Sequence, residues 1–330
     1  MIKSLTFRNF KALRDTVLPL GPFTLIVGPN GSGKSSVFQG LKALQDPRAL
    51  DPAQVLSTGV SQQDGMQIVA DWDSLRFPSQ AALRWPLRSG STNGSVTTIG
   101  ADATSMMRVL SGFRSYSFSA EQVAAPSQLI PTAEIGPSGE KLAVVLDRLR
   151  DNHPERFEAL NEELGRWLPE FDRVLFDTPS PGTRAIQLRT RSGGHAIPAA
   201  QLSQGTLVAL AILTLAHLPD PPALVGLEEP DHGMHPRLLR DVQDAIYRLA
   251  YPKDHGEDRP PVQVIATTHS PYFLDLFREH REEIVIAHKL EDNVRFERLS
   301  DYPNIEEILQ DSHLGDVWYT GVLGGVPGER

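Results

Sequence analysis

The order of apolar and polar positions divides the first part of the chain into short strands and one helix. Residues 1–27 predict two or three strands, because apolar residues such as Leu5 and Phe7 alternate with polar neighbours. The last of these strands, Phe23–Val27, is an apolar run of the kind found in buried sheets. A helical pattern follows over residues 35–44, so the chain opens as strands followed by a helix.

The rest of the chain continues this mixture of strands and helices. Residues 66–100 and 171–197 contain the short alternating runs and turn residues that predict strands, whereas residues 139–167 have helical spacing. The second half adds one strongly apolar helix and two buried strands, at residues 207–218, 223–228 and 262–268. We find no internal repeat and no sustained heptad pattern, so a long coiled-coil arm is not expected.

Composition narrows the class of protein. The 330 residues are 40% hydrophobic, which is enough for one large domain or two lobes. The chain has no cysteine, which excludes disulfides and thiolate metal sites. The N-terminus lacks the apolar region of a signal peptide, and no apolar run approaches the ~20 residues that span a bilayer. We therefore expect a cytoplasmic protein without membrane association.

Between the buried strand and the first helix lies the pattern G-x-x-x-x-G-K-S, the phosphate-binding loop of nucleotide hydrolases. The predicted nucleotide-binding residues are Gly28, Pro29, Asn30, Gly31, Ser32, Gly33, Lys34, Ser35 and Ser36. The glycines let backbone N–H groups face phosphate oxygens, and the helix N-terminus adds its positive dipole. Lys34 is expected to reach the β- and γ-phosphates, and the Ser35 hydroxyl to ligate Mg²⁺. A strand–helix turn without ligand is the alternative, and the flanking elements disfavour it.

Two carboxylates end the apolar strand at residues 223–228. The carboxyl ends of parallel strands face the ligand crevice of a sheet, so we expect Glu228 to hold Mg²⁺, usually through water. Glu229 is then placed to polarise the attacking water. The strand at residues 262–268 ends in His269, which can hydrogen-bond the γ-phosphate or that water. The alternatives are a solvated pair of carboxylates and a structural histidine.

Two weaker signals complete the candidate nucleotide site. Ser203 and Gly205 open the apolar helix at residues 207–218, and free N–H groups with a serine hydroxyl suit an anion. Most helices capped by serine bind nothing, so this signal alone is weak. Lys11 precedes the phosphate loop and either faces nucleotide phosphates or is a solvated lysine at a strand end.

Taken in order, these segments resemble the ABC-type ATPases of the RecF, SMC, Rad50 and OLD branch. Residues 28–35 are similar to Walker A, residues 202–206 to the signature motif, and residues 228–230 to Walker B with its catalytic glutamate. Residues 231–236 occupy the position of the D-loop, and His269 that of the switch histidine.

Segments near both ends of the chain, and one beside the signature motif, extend this resemblance. Asn9-Phe10-Lys11 resembles the Asn-Phe-Arg stretch of the branch. Residues 197–203, 314–321 and 323–325 resemble standalone bacterial AAA family ATPases of the AAA_21 type.

The sequence departs from the pattern of the branch at several positions. The signature reads Leu-Ser-Gln-Gly-Thr, Glu228 stands where many relatives have aspartate, and Lys11 replaces arginine. Because Glu-Glu-Pro is similar to the OLD form, we interpret the carboxylate pair as active. Three glutamines remain alternatives for the Q-loop position, namely Gln62, Gln63 and Gln122.

The resemblance implies an α/β fold, a P-loop NTPase with an ABC-type ATPase head. Its core would be a mixed sheet, with an antiparallel β subdomain and a helical lobe. We expect residues 1–330 to form one head. Residues 1–100 and 219–330 would be the nucleotide-binding lobe, and residues 101–218 an inserted lobe ending in the signature helix.

The resemblance also implies that ATP and Mg²⁺ are bound between two heads of a homodimer. Walker A of one subunit would face Ser203 of the other, so that ATP binding joins the dimer and hydrolysis releases it. Glu229 would activate water, and His269 would sense the γ-phosphate. GTP is less favoured, because we find no Asn-Lys-x-Asp stretch that reads guanine.

Three classes of function remain open. The first is an ATP-hydrolysing switch or motor in DNA repair, DNA-end handling or anti-phage defence. The second is a regulatory subunit that controls a separate effector, such as a nuclease or toxin. The third, the ATPase of a membrane transporter, is disfavoured by the strand-rich start and by Glu-Glu-Pro.

The charge pattern bears on whether DNA is a partner. A net charge of −9 argues against a generally basic nucleic-acid binder but leaves room for a local basic groove. The arginines that can line such a surface, or are simply solvated, are Arg84, Arg88, Arg108 and Arg114.

Overall fold

The computed structural model describes residues 1–49, 51–60, 64–73, 79–85, 95–100, 103–291, 293–310 and 312–324. The chain divides into two compact units. Unit 1 comprises residues 1–114, 222–226 and 260–330, and unit 2 comprises residues 115–221 and 227–259.

Strands and helices mix along the chain. The strands are β1 (Ile2–Phe10), β2 (Leu13–Pro19), β3 (Phe23–Val27), β4 (Met66–Trp72), β5 (Ser79–Trp85), β6 (Ser95–Ile99), β7 (Arg114–Tyr116), β8 (Ser127–Gln128), β9 (Phe171–Asp177), β10 (Thr183–Thr190), β11 (Ala196–Pro198), β12 (Leu224–Glu228), β13 (Gln263–Thr268), β14 (Ile284–Leu290) and β15 (Asn293–Arg298). The α-helices are α1 (Lys34–Gln45), α2 (Pro52–Val55), α3 (Ala103–Ser111), α4 (Ala120–Ala124), α5 (Leu142–Asn152), α6 (Pro154–Trp167), α7 (Gln204–His217), α8 (Pro236–Ala250), α9 (Pro271–Asp275), α10 (Ile305–Ile308) and α11 (Leu314–Tyr319).

Unit 1 contains a five-stranded antiparallel sheet in the order β2-β1-β4-β5-β6. The alternation read from the sequence produces its buried face, where Leu5, Phe7 and Ile68 have no exposed surface. This face shares a hydrophobic core with helix α1. Gly40 allows the close approach, because a Cβ placed on it would lie 2.6 Å from Phe7 Cε1. The predicted strands of residues 1–27 and 66–100 are confirmed.

A six-stranded mixed sheet has the order β15-β14-β3-β13-β12-β7. Strand β3 pairs in parallel with β13 on one side and β14 on the other, and β14 pairs antiparallel with β15. Every residue of β3 and β13 is buried, as expected for central parallel strands. The mixed sheet and the antiparallel sheet confirm the predicted α/β fold class. The β14–β15 hairpin was not among the predicted strands.

Gln263 joins the two sheets of unit 1. This buried residue at the start of β13 accepts a hydrogen bond from Ile2 N at 2.9 Å. Its amide nitrogen donates to Ile2 O at 2.7 Å and to Gly21 O at 2.9 Å. The side chain thereby satisfies backbone groups that would otherwise be buried without partners.

The C-terminal part of unit 1 packs on the helix that follows His269. Gly315 of α11 donates its N–H to Asp275 Oδ1 of α9 at 2.7 Å. A Cβ on Gly315 would lie 2.5 Å from Pro271 O, so only glycine permits this approach. Tyr302 also hydrogen-bonds His288 of β14 and donates to Leu323 O at 2.9 Å, which fixes the end of the described chain against β14.

Unit 2 combines a small antiparallel sheet with helices α4–α8. Strand β10 pairs with β8, β9 and β11, which confirms the strands predicted over residues 171–197. His153 ends α5, and Pro154 opens α6 at the break expected within residues 139–167. Almost every residue of α7 is buried, which identifies it as a core helix. Within the described parts of both units, no helix has the length and apolarity needed to cross a membrane.

Candidate nucleotide site

The phosphate loop lies in unit 1 between β3 and α1, where the sequence predicts it. Gly31 and Gly33 have φ angles of 75° and 78°, a region that glycine enters without steric cost. Gly33 is the N-cap of α1 and supplies no side-chain cap, and the first turn contains no acidic residue. The N-terminus of this helix therefore keeps N–H groups and positive potential available for an anion.

Lys34 lies inside the loop. The residue is 7% exposed, and its ammonium donates to Gly28 O at 2.8 Å and to Pro29 O at 2.9 Å. Its Nζ is also 3.4 Å from Ser32 Oγ. A buried ammonium at a helix N-terminus whose first turn contains no acidic residue suits an anionic ligand, so these residues fit a nucleotide phosphate chain.

Three segments distant in sequence pack against the loop glycines. A Cβ on Gly28 would lie 2.7 Å from Ala287 O, and a Cβ on Gly33 would lie 2.8 Å from Leu13 Cδ2 and 3.6 Å from Val294 Cγ2. The loop therefore rests against β2 and the β14–β15 hairpin. Sequence reasoning identified the glycines by their motif but missed the packing residues.

His269 follows β13 directly beside the phosphate loop. Thr268 pairs with Val27 in the parallel β13–β3 ladder, so His269 and Gly28 leave the sheet at the same edge. Ser270 donates its N–H to Thr268 Oγ1 at 2.9 Å, and its hydroxyl caps α9 by accepting from Phe273 N at 3.2 Å. These bonds hold the backbone that carries the half-buried His269.

The carboxylate pair lies in unit 2 at the end of β12. Glu228 is half-buried and ends the strand, and Glu229 has a φ of 46°, which is uncommon for a residue with a side chain. Glu229 Oε2 is 3.8 Å from His232 Nδ1, and Glu229 O accepts from His232 N at 3.0 Å. Such backbone strain clusters at functional sites.

Ser203 and Gly205 also lie in unit 2. Ser203 caps α7 by accepting from Thr206 N at 3.2 Å, so the helix begins at Gln204 rather than at Leu207. A Cβ on Gly205 would lie 2.7 Å from Gly233 O. The signature segment thus packs directly against the loop that follows Glu229, a contact that the sequence did not predict.

A buried ionic cluster lies at the other end of α7. Glu163 of α6 accepts from Arg248 Nη1 of α8 at 2.6 Å and lies 2.8 Å from Nε2 of His217, the last residue of α7. Burial opposes ionisation of Glu163, but these hydrogen bonds outweigh it and lower its pKa to about 2. Burial lowers the pKa of His217, which favours the neutral imidazole. The cluster ties α6, α7 and α8 together and was missed by sequence reasoning.

The weaker candidates are Lys11 and the three glutamines considered for the Q-loop position. Lys11 is half-buried in the turn between β1 and β2, where its N–H donates to Val55 O at 2.7 Å and its carbonyl accepts from Ser57 Oγ at 2.6 Å. Among the glutamines, Gln122 lies on α4, and Gln62 and Gln63 lie outside the described residues.

Of the four arginines that were candidates for a basic DNA-binding surface, two are exposed and one donates hydrogen bonds to backbone carbonyl groups. Arg84 and Arg108 are exposed, and Arg114 donates to Ser111 O and Phe113 O. Arg88 lies outside the described residues.

The fold and the loop define a P-loop ATPase with an ABC-type head. A solved Smc head domain with an extended coiled coil, bound to the C-terminal domain of ScpA from Pyrococcus furiosus, matches with a TM-score of 0.63 and 12% identity. That match covers 94% of this chain and 99% of the Smc chain. The SMC head domain from Thermotoga maritima matches with a TM-score of 0.53 and 16% identity, covering 90% and 98%. These similarities establish the fold.

Sequence comparison identifies the family. The profile described as "AAA domain, putative AbiEii toxin, Type IV TA system" matches residues 105–275, which is just over half of the chain, and the chain belongs to this AAA_21 family. A second profile, described as "AAA ATPase domain", matches residues 1–69. A segment of 41 residues is 51% identical to the OLD nuclease of Thermus scotoductus. That segment is 12% of this chain and 8% of the nuclease.

Proposed function

We propose that this protein binds ATP with Mg²⁺ and hydrolyses it as a switch driven by the association of two heads. The observation that carries the proposal is the phosphate loop, in which the buried Lys34 ammonium lies at the N-terminus of α1 and donates to Gly28 O and Pro29 O. When a nucleotide binds, Lys34 and the loop N–H groups would hold its phosphates. Ser35 and Glu228 would contribute to the Mg²⁺ site, with water and phosphate oxygens as the remaining ligands.

Glu229 and His269 take the chemical roles in this proposal. Glu229 polarises the attacking water, since a carboxylate can accept its proton, and His269 hydrogen-bonds the γ-phosphate. The support is the strained backbone of Glu229 and the position of His269 beside β3. Bound Mg²⁺ would neutralise part of the negative charge of the phosphates.

Dimerisation is proposed from the signature segment. The cap at Ser203 presents the N-terminus of α7, and we propose that it contacts the ATP of a second copy. ATP would then join two heads, and hydrolysis would release them. DNA repair or anti-phage defence is the proposed setting, in line with the OLD nuclease segment and the family description.

A second function is favoured by the family description, which names a putative toxin of a type IV toxin–antitoxin system. In this alternative the protein is a nucleotide-gated regulatory subunit that hydrolyses ATP slowly and controls a separate nuclease or toxin. Turnover stimulated by duplex DNA would favour the first function. Clear ATP binding with negligible turnover would favour the second.

The decisive experiment compares wild type, Glu229→Gln and Lys34→Ala. We expect Glu229→Gln to bind ATP, lose turnover and accumulate as a dimer in light scattering, because the step that releases the dimer is blocked. Lys34→Ala should neither bind ATP nor dimerise with it. If Glu229→Gln binds ATP but remains monomeric at every concentration tested, the dimer switch is wrong.

A further inference from the structure

The β14–β15 hairpin contributes a charge to the wall of the phosphate loop. The parallel ladder pairs Ile286 with Val27, and β14 then continues past the end of β3 to Leu290. This extension brings Ala287 against Gly28, and Val294 of β15 lies near Gly33. The hairpin therefore lines the loop over most of its length.

The residue of the hairpin that faces Gly31 is a lysine. A Cβ placed on Gly31 would lie 3.7 Å from Lys289 Nζ. The two packing residues of the hairpin, Ala287 and Val294, are apolar and fully buried, whereas Lys289 is exposed and carries its ammonium to the edge of the loop. Hydrophobic packing explains Ala287 and Val294, but it does not explain why the side chain beside Gly31 is a lysine.

We infer that Lys289 is a second cation of the phosphate loop and increases its affinity for the polyphosphate of a nucleotide. This inference rests on the proposed nucleotide site and adds a residue to it. Lys34 acts from inside the loop, where it is buried, and Lys289 acts from the outer side at Gly31. An exposed ammonium attracts phosphate charge without needing a fixed geometry, so its effect is on binding rather than on the chemical step.

The test measures ATP and ADP affinity by titration calorimetry for wild type, Lys289→Met and Lys289→Arg. Methionine keeps the length of the side chain and removes the charge. Lys3→Met is the matched control, because Lys3 is an exposed lysine on β1 of the same unit. We expect Lys289→Met to weaken ATP binding about fivefold, the size of an exposed charge–charge interaction. Lys289→Arg and Lys3→Met should bind like wild type.

Two further readouts separate a phosphate contact from a structural role. The loss in Lys289→Met should shrink as salt rises from 50 mM to 500 mM, because screening removes the interaction in wild type. In turnover assays KM should rise while kcat stays unchanged.

The outcomes distinguish the failure of this inference from that of the proposed function. If wild type binds ATP and Lys289→Met binds it equally well, Lys289 is not a phosphate-loop cation, and the ATPase proposal is unaffected. A loss that is independent of salt, or that arginine does not restore, also overturns the inference. If wild type itself does not bind ATP, the proposed function is wrong, and the inference about Lys289 is wrong with it.

Discussion

Replacement of Glu163 by glutamine tests the buried ionic cluster that fixes α7. Glutamine has almost the same shape, but it removes the charge that accepts from Arg248 at 2.6 Å and lies 2.8 Å from His217. The pKa of Glu163 falls from its ordinary 4.5 to about 2. A shift of this size corresponds to about 3 kcal/mol of stability at neutral pH. We therefore expect Glu163→Gln to lower the free energy of unfolding by about 3 kcal/mol at pH 7.

The pH dependence provides the sharper test. Because the folded pKa of Glu163 lies below the unfolded value, its contribution is complete above pH 4.5 and is lost as the pH falls towards 2. The part of the difference between wild type and Glu163→Gln that comes from the Glu163 charge should therefore be constant from pH 7 to pH 5 and shrink by pH 3. Burial lowers the pKa of His217, so its protonation on acidification destabilises the fold. Because Glu163 raises the His217 pKa, this loss is larger in Glu163→Gln, where the carboxylate is absent.

The assay is urea unfolding followed by circular dichroism at pH 7, 5, 4 and 3. Glu158→Gln is the matched control, because Glu158 lies on the same helix and pairs with Arg173 while half of its side chain is exposed. We expect that control to cost less than about 1 kcal/mol. A difference below 1 kcal/mol for Glu163→Gln at pH 7, or one that does not change between pH 5 and pH 3, would refute the reasoning.

Two further substitutions test contacts between distant segments. Gly205→Ala places a Cβ 2.7 Å from Gly233 O, so urea unfolding should show a loss of about 1–3 kcal/mol, and a stability equal to that of wild type would contradict the contact. Gln263→Met leaves Ile2 N, Ile2 O and Gly21 O buried without this partner, so urea unfolding should show a loss of about 2–4 kcal/mol, and an unchanged midpoint would show that the side chain does not join the two sheets.

The features that could be predicted from sequence depend on neighbouring residues. The phosphate loop was recognisable because its glycines, Lys34 and Ser35 follow one another between a strand and a helix. The presence of strands within residues 1–27, 66–100 and 171–197 followed from alternation, and the break at His153-Pro154 followed from the chemistry of proline. The cap at Ser203 was identified from the sequence, but the start of α7 was placed three residues too late, because the continuous apolar run begins only at Leu207.

The sequence by itself therefore determined the class of the protein, its α/β character and the segments that carry its chemistry, since each of these is written in a local pattern. Only the tertiary structure decided which residues meet. It placed Leu13, Ala287, Val294 and Lys289 around the loop glycines, Gly233 against Gly205, and Glu163 between His217 and Arg248. These pairs are far apart in the chain, and they meet because sheets and helices must bury their apolar faces together, which no local pattern of residues specifies.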